Sequence, residues 1–143
     1  MDMRQITPTY FVAPQLGPAD MTAAAKAGIT TIICNRPDEE IPPSHHAATM
    51  ADAAANAGLE FHALPLTNQT MTPDNVARHT RIIAEARGPV LAYCASGTRS
   101  TVAWSLGAAA TMGVDAVLEA AAAGGYDLSP LRPTLEASVA HAR

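Results

Sequence analysis

One seven-residue segment combines a nucleophile, a cation and a glycine: Cys94 to Ser100, with the sequence Cys-Ala-Ser-Gly-Thr-Arg-Ser. A buried-type apolar run precedes it and an apolar helical run follows, which predicts a turn from a strand into a helix. The first amides of a helix have no partner within it, and Gly97 lets the backbone curl without steric cost. We therefore expect a nest of N–H groups that binds anions around the Cys94 sulfur. The predicted anion-binding residues are Ala95, Ser96, Gly97, Thr98 and Ser100.

This arrangement predicts an activated cysteine nucleophile. A helix N-terminus and a neighbouring cation both stabilise a thiolate, and Arg99 supplies a permanent charge that can grip an oxyanion with two donors. We also expect the Ser100 hydroxyl to donate to the sulfur. For an isolated cysteine and arginine, a buried thiol and a surface cation would be the simpler interpretation. The order strand, Cys, Gly, Arg, Ser, helix favours Cys94 and Arg99 as a catalytic pair.

The elements around this loop alternate between strand and helix, which predicts parallel β-α-β units with helices on both faces of a sheet of four to five strands. In such folds, ligands bind at the carboxyl ends of the strands, where Cys94 is placed. The predicted strands are Tyr10–Ala13, Ile29–Cys34, Leu59–Leu66 and Val90–Tyr93. The predicted helices begin at Gly17-Pro18, Ser44, Thr72, Ser100, Asp115 and Ser129, and end near Gly28, Ala57, Gly88, Met112, Ala123 and the C-terminus.

Length and composition narrow the classes of protein. The 143 residues predict one domain, 1–143. A net charge of −4 without a basic run argues against a nucleic-acid partner. We see neither a signal peptide nor a stretch that could span a bilayer, and we expect a cytoplasmic protein with two free thiols. The partner expected from the loop is a small anionic substrate, while the oligomeric state is not readable.

The chain resembles a known family in four stretches. The loop matches the Cys-x-x-Gly-x-Arg-Ser pattern of rhodanese-type sulfurtransferases. The rest of the chain resembles the phosphatase-like domain of β-lactamase-hydrolase-like proteins, a relative of dual-specificity phosphatases, which implies a protein-tyrosine-phosphatase-like fold. The stretches that carry this second resemblance are Thr31–Glu40, Phe61–Leu66, the Cys94 loop and Gly125–Ser129. The family's domain occurs alone or fused to a metallo-β-lactamase-fold enzyme, and we expect the free-standing form here because no His-x-His-x-Asp-His motif occurs.

Two features favour sulfur transfer over phosphate hydrolysis. Four residues separate Cys94 from Arg99, as in rhodaneses, whereas protein tyrosine phosphatases have five. The loop 65–70, where the resemblance places an acidic general acid, contains no Asp or Glu. An alkoxide leaves poorly without an acid, whereas sulfite or a thiolate needs none. We therefore expect a sulfurtransferase that forms a Cys94 persulfide from thiosulfate or a persulfide. The alternatives are a cysteine-dependent phosphatase acting on phosphate monoesters, a non-catalytic module that binds anions or phospho-ligands, and, more weakly, a thiol-disulfide protein.

Other polar residues are expected at the mouth of the pocket. The predicted rim consists of Arg36, Asp38, Asn68 and Tyr126. Glu39 and Glu40 share the loop of Arg36 and could frame the same mouth or be solvated. Cys34 ends a buried-type strand and is expected to be an inert thiol, although a resolving role stays open. The histidines have no ligand-like spacing, so we expect neither a metal nor another cofactor.

Overall fold

A computed structural model describes residues 1–141 of the chain. The strands are β1 (Arg4–Thr7), β2 (Tyr10–Ala13), β3 (Thr31–Cys34), β4 (Glu60–Ala63) and β5 (Val90–Tyr93). The helices are α1 (Asp20–Lys26), α2 (Ala47–Asn56), α3 (Pro73–Glu85), α4 (Thr98–Met112), α5 (Val114–Ala123) and α6 (Arg132–His141). Three 3₁₀ turns cover Asp38–Glu40, Pro43–His45 and Ser129–Leu131. The predicted extension of the last helix to residues 142–143 lies outside the described residues.

The five strands form one sheet in the order β1-β2-β5-β3-β4. All pairs are parallel except β1 with β2, which are antiparallel. The last strand in the sequence, β5, therefore lies in the centre, between β2 and β3. This confirms the α/β class and the mainly parallel sheet, and it places the residue after β5 at the middle of the carboxyl edge.

The sheet is covered on both faces. One apolar cluster joins strand residues to α1 and α2 through Met21 and Met50, both fully buried. The other joins the opposite face to the later helices through Trp104, Val117 and Leu135. Strands enclosed in this way read as nearly continuous apolar runs, which is why Val90–Tyr93 was predictable as a strand.

Several local expectations differ from the structure: for example, β3 begins at Thr31 rather than Ile29, and β4 covers Glu60–Ala63 rather than Leu59–Leu66. Strand β1 was not predicted because Arg4–Thr7 is short and mostly polar, as an edge strand with one solvated face can be. Ser44 does not cap α2: it lies in a 3₁₀ turn, and the Asp38 carboxylate instead accepts from the Ala47 amide at 2.8 Å. Helix α4 begins two residues before the expected Ser100, at Thr98. Thr72 does cap α3, as predicted, by accepting from the Asn75 amide at 3.2 Å.

Residues 1–141 contain neither a bilayer-crossing helix nor a cluster of metal-ligating side chains. No helix in this range is both long enough and apolar enough to cross a bilayer. Within the same range, no group of three or more His, Cys, Asp or Glu side chains is arranged to hold a metal ion.

Candidate active site

Cys94 directly follows the central strand β5 and is fully buried. Its sulfur accepts a hydrogen bond from the Gly97 amide at 3.1 Å. Gly97 is the N-cap residue of α4, a helix of 15 residues, so the positive end of the helix dipole lies beside the sulfur. The Thr98 amide turns instead to the Ser96 hydroxyl at 3.3 Å. The loop thus carries a sulfur held by a backbone donor, a setting that stabilises negative charge on sulfur.

The turn at Gly97 depends on glycine for two reasons. Its φ angle is +94°, in the left-handed region that other residues adopt only with strain. A Cβ at this position would also collide with the Tyr126 hydroxyl. That hydroxyl donates to the Ser96 carbonyl at 3.0 Å, so Tyr126 lies against the loop.

Arg99 lies in the first turn of α4 and is held at two places. Its Nη1 and Nη2 donate to the two carboxylate oxygens of Glu40 at 3.0 and 2.8 Å. Nη1 also donates to the Leu66 carbonyl at 2.8 Å. The hydrogen bonds and charge of Glu40, together with the neighbouring Cys94, raise the pKa of Arg99 above its usual value. The guanidinium is therefore a fixed cation beside the cysteine.

Ser100 does not donate to the Cys94 sulfur, contrary to expectation. Its hydroxyl donates to Asn35 Oδ1 at 2.7 Å, and both residues are fully buried. The same Oδ1 accepts from His79 Nε2 at 3.3 Å, and Asn35 Nδ2 donates to the Leu64 carbonyl at 3.0 Å. A buried amide directly after β3 competes successfully for the hydroxyl because an unsatisfied buried acceptor is costly.

The other predicted rim residues have separate roles. Arg36 contacts the Glu40 carboxylate at 3.3 Å and the Gln15 side chain at 3.2 Å, so it reaches the site through Glu40. The Asp38 carboxylate accepts from the Ala47 amide at the start of α2. Asn68 is exposed, and no hydrogen bond of the described residues joins its side chain to the loop.

Cys34 ends β3, the strand next to β5. Its thiol donates to the Arg36 carbonyl at 3.5 Å, and burial raises its pKa. Neither Cys34 nor Cys94 is in a disulfide. A thiol with a raised pKa that donates to a carbonyl favours the protonated form, and the inert role of Cys34 stays a prediction.

Sequence reasoning missed Asn35 and the Leu66 carbonyl. Asn35 had a detectable signal, because it is a polar residue placed directly after a buried strand, at the edge where β5 also ends. Leu66 had no detectable signal, since it contacts Arg99 through its backbone carbonyl, which every residue carries. Glu40 was named only as a candidate for the pocket mouth, and nothing in its sequence context indicates a pair with a residue 59 positions away.

Known proteins share this architecture. The family described as "Beta-lactamase hydrolase-like protein, phosphatase-like domain" matches residues 2–112. A β-lactamase hydrolase-like protein of Agrobacterium fabrum is 34% identical over 91 residues, which are 64% of this chain and 21% of that protein. The corresponding protein of Xylella fastidiosa is 34% identical over 82 residues, 57% of this chain and 19% of its own length. The chain thus spans about a fifth of the length of these curated relatives.

Solved structures agree with the fold. The crystal structure of a putative phosphatase from Neisseria meningitidis has a TM-score of 0.85 and 35% identity, with 96% of this chain and 99% of that chain covered. Tk-PTP in its active form has a TM-score of 0.75 at 16% identity, covering 98% and 97% of the two chains. At that identity, the second likeness supports the tyrosine-phosphatase-like fold alone.

The family match covers well over half of the chain and includes β1 to β5, the Cys94 loop and α4. It agrees with the resemblance carried by the segment after β3, the segment around β4 and the Cys94 loop. The chain therefore belongs to the family of phosphatase-like domains found in β-lactamase-hydrolase-like proteins.

Proposed function

We propose that this chain is a cysteine-dependent phosphatase that hydrolyses phosphate monoesters through a phosphocysteine at Cys94. The observation that carries the proposal is the loop itself: Cys94 at the end of the central strand, the Gly97 amide on its sulfur, and Arg99 fixed alongside. Membership of a phosphatase-like family and the similarity to a putative phosphatase support it. These findings favour this alternative over the sulfurtransferase expected from the spacing of the loop.

The reaction would proceed in two displacements. The Cys94 thiolate attacks phosphorus, an S–P bond forms, and the ester P–O bond breaks as the leaving oxygen departs with the electron pair. Loop amides and Arg99 stabilise the charge on the equatorial oxygens. Water then attacks the phosphocysteine, which releases inorganic phosphate, returns the thiolate and gives one proton to solvent.

The charged side chains near the loop restrict the leaving group. Hydrogen bonds from Arg99 lower the pKa of Glu40, so this carboxylate stays ionised and is a poor proton donor. The segment 65–70 contains no acid, and Asp74 is an exposed residue in the first turn of α3. We therefore propose a preference for phosphate esters with weakly basic leaving groups, such as aryl phosphates. The structure of a P. aeruginosa TpbA variant in complex with pTyr shows such an ester bound by a protein of this fold.

A series of aryl phosphates tests the proposal. We expect a kcat/KM that rises steeply as the leaving phenol becomes more acidic, because the phenolate leaves in the first displacement, and we expect all turnover to disappear in Cys94→Ser. A kcat/KM that is independent of the leaving group would contradict the absence of a general acid. Phosphate binding that survives Cys94→Ser, with no turnover of any ester by the wild type, would indicate a binding module instead.

Sulfur transfer is the second candidate, favoured by the four residues between Cys94 and Arg99. In that reaction, the thiolate takes the outer sulfur of thiosulfate, sulfite leaves, and a thiol or cyanide removes the sulfur. Intact mass after incubation with thiosulfate decides between the two. One added sulfur on Cys94 supports sulfur transfer, and an unchanged mass with every sulfane donor contradicts it.

A further inference from the structure

Glu40 makes the most extensive side-chain contact with Arg99. It ends the 3₁₀ turn Asp38–Glu40 that follows β3. Its two carboxylate oxygens accept from two different nitrogens of the guanidinium, at 3.0 and 2.8 Å. Such bidentate pairs fix the plane of the guanidinium as well as its position, which a single contact cannot do.

Glu40 is itself held by a chain of contacts that returns to the Cys94 loop. Arg36 donates to the Glu40 carboxylate at 3.3 Å and to its carbonyl at 3.1 Å. Another nitrogen of Arg36 donates to Gln15 Oε1 at 3.2 Å, and the backbone N–H of Gln15 donates to the Ala95 carbonyl at 3.1 Å. The carboxylate is thus braced from the strand ends on both sides of β5, a geometry suited to positioning another side chain.

The donors of Arg99 are divided unequally. Nη1 uses its hydrogens on Glu40 and the Leu66 carbonyl, and Nη2 uses one on Glu40. Within residues 1–141, Nε–H and the second hydrogen of Nη2 have no oxygen or nitrogen acceptor, and the remaining hydrogen-bonding neighbour of the guanidinium is the Cys94 side chain. These two donors lie parallel on one edge of the planar guanidinium, which is the fork that matches two oxygens of a phosphate.

We propose that Glu40 is a positioning residue that orients Arg99, so that its Nε–Nη2 edge is free for a substrate oxyanion. This inference rests on the proposed phosphatase function. A carboxylate beside Arg99 could compete with the substrate for the guanidinium, but the proposed role of Glu40 is the opposite. The carboxylate occupies the guanidinium end and leaves the substrate edge open, so its loss weakens anion binding although it removes a negative charge.

The experiment compares Glu40→Gln with Glu39→Gln, an exposed neighbour on the same 3₁₀ turn that loses the same charge. Aryl phosphate kinetics give kcat and KM, and calorimetric titration with inorganic phosphate gives Kd. Glu40→Gln is expected to lower kcat/KM by about tenfold to a hundredfold, since small misplacements of a catalytic group have effects of this size. It is also expected to weaken phosphate binding, while Glu39→Gln leaves both unchanged.

A double-mutant cycle separates positioning from a purely structural role. In an Arg99→Ala background, Glu40→Gln is expected to have no further effect, because no guanidinium remains to be oriented. An equal loss in both backgrounds, tighter phosphate binding, or behaviour identical to Glu39→Gln would each overturn the inference. A wild type that binds phosphate without hydrolysing esters would contradict the proposed function, and the phosphate titration would still decide the role of Glu40.

Discussion

The two cysteines lie close to each other at the carboxyl edge of the sheet and have opposite surroundings. Cys34 ends β3 and Cys94 directly follows β5, on adjacent parallel strands whose last residues pair. The Cys34 thiol donates to a carbonyl, whereas the Cys94 sulfur accepts from the Gly97 amide. Cys34 is followed by an acidic 3₁₀ turn and Cys94 by the N-terminus of a long helix. The two thiols therefore differ in the element that follows their strands and in the direction of their hydrogen bonds.

Replacing each cysteine by serine tests this comparison most severely. Cys94→Ser is expected to lower aryl phosphate turnover by about 10⁴-fold or more, because it removes the nucleophile. The turnover of Cys34→Ser is expected to stay within about threefold of the wild-type rate. Steady-state rates of the two purified variants check this, with thermal unfolding to show that both fold. Equal losses would mean that the difference between the two sites is not functional.

Removing the cation is expected to have the next largest effect. Arg99→Ala should lower kcat by about 10²- to 10³-fold, the usual effect of losing one charged donor at a transition state. Arg81→Ala, an exposed arginine on α3, is the matched control and should leave kcat unchanged. A loss below tenfold would show that the helix N-terminus alone distinguishes Cys94 from Cys34.

His79 tests the buried network that joins the two strand ends through Asn35. Burial lowers the pKa of His79 to about 4, and its Nδ1 has no hydrogen-bond partner among the described residues. The unfolded chain takes up the proton first, so the free energy of unfolding should fall by about 3 kcal/mol as pH drops from 6.5 to 4.

In His79→Gln this acid-induced loss should be absent, while the half-exposed His62→Gln control should keep it. Urea unfolding at several pH values measures the difference. If wild type and His79→Gln lose the same free energy of unfolding as the pH falls, a group other than His79 takes up the proton.

Gly97 tests the turn that leads into α4. Gly97→Ala should reduce the free energy of unfolding by about 2 kcal/mol, through strain at positive φ and the collision with Tyr126. Gly28→Ala has a similar φ of +97° with open space around the position, so it should cost only the strain, about 1 kcal/mol. Only Gly97→Ala should also lower turnover. Urea titration of both variants measures their free energies of unfolding. Equal losses would show that the collision with Tyr126 does not contribute.

Alkylation gives the smallest expected difference and reads the two thiols directly. Iodoacetamide near neutral pH should modify Cys94 about tenfold faster than Cys34, because a thiol with a raised pKa presents little thiolate. Inorganic phosphate should slow modification of Cys94 alone. Peptide mass spectrometry over time follows both sites. Faster modification of Cys34 would contradict the expectation that Cys94 is the more reactive thiol.

The sequence was informative where one local rule decides the structure. The apolar run Val90–Tyr93, the cap at Thr72 and the Cys94 loop were each predictable from their own residues. Contacts between distant segments were not, because spacing carries no information about them. Ser100 was expected on the sulfur, yet the buried Asn35 takes its hydroxyl. The pair of Arg99 with Glu40 likewise depends on β3 and β5 being neighbours, which follows from the sheet order and not from either segment.

The central place of β5 also has a consequence for the order of folding. This strand inserts between β2 and β3, which precede it by about 80 and 60 residues in the register of the sheet. Long-range pairings of this kind form late, since the loop-closure entropy comes before the contacts. During synthesis, β2 and β3 have no common neighbour until Val90–Tyr93 emerges. We therefore expect Cys94 to reach its place among the last parts of the sheet, and a nascent chain that ends before α4 contains this cysteine without the helix N-terminus and Arg99 beside it.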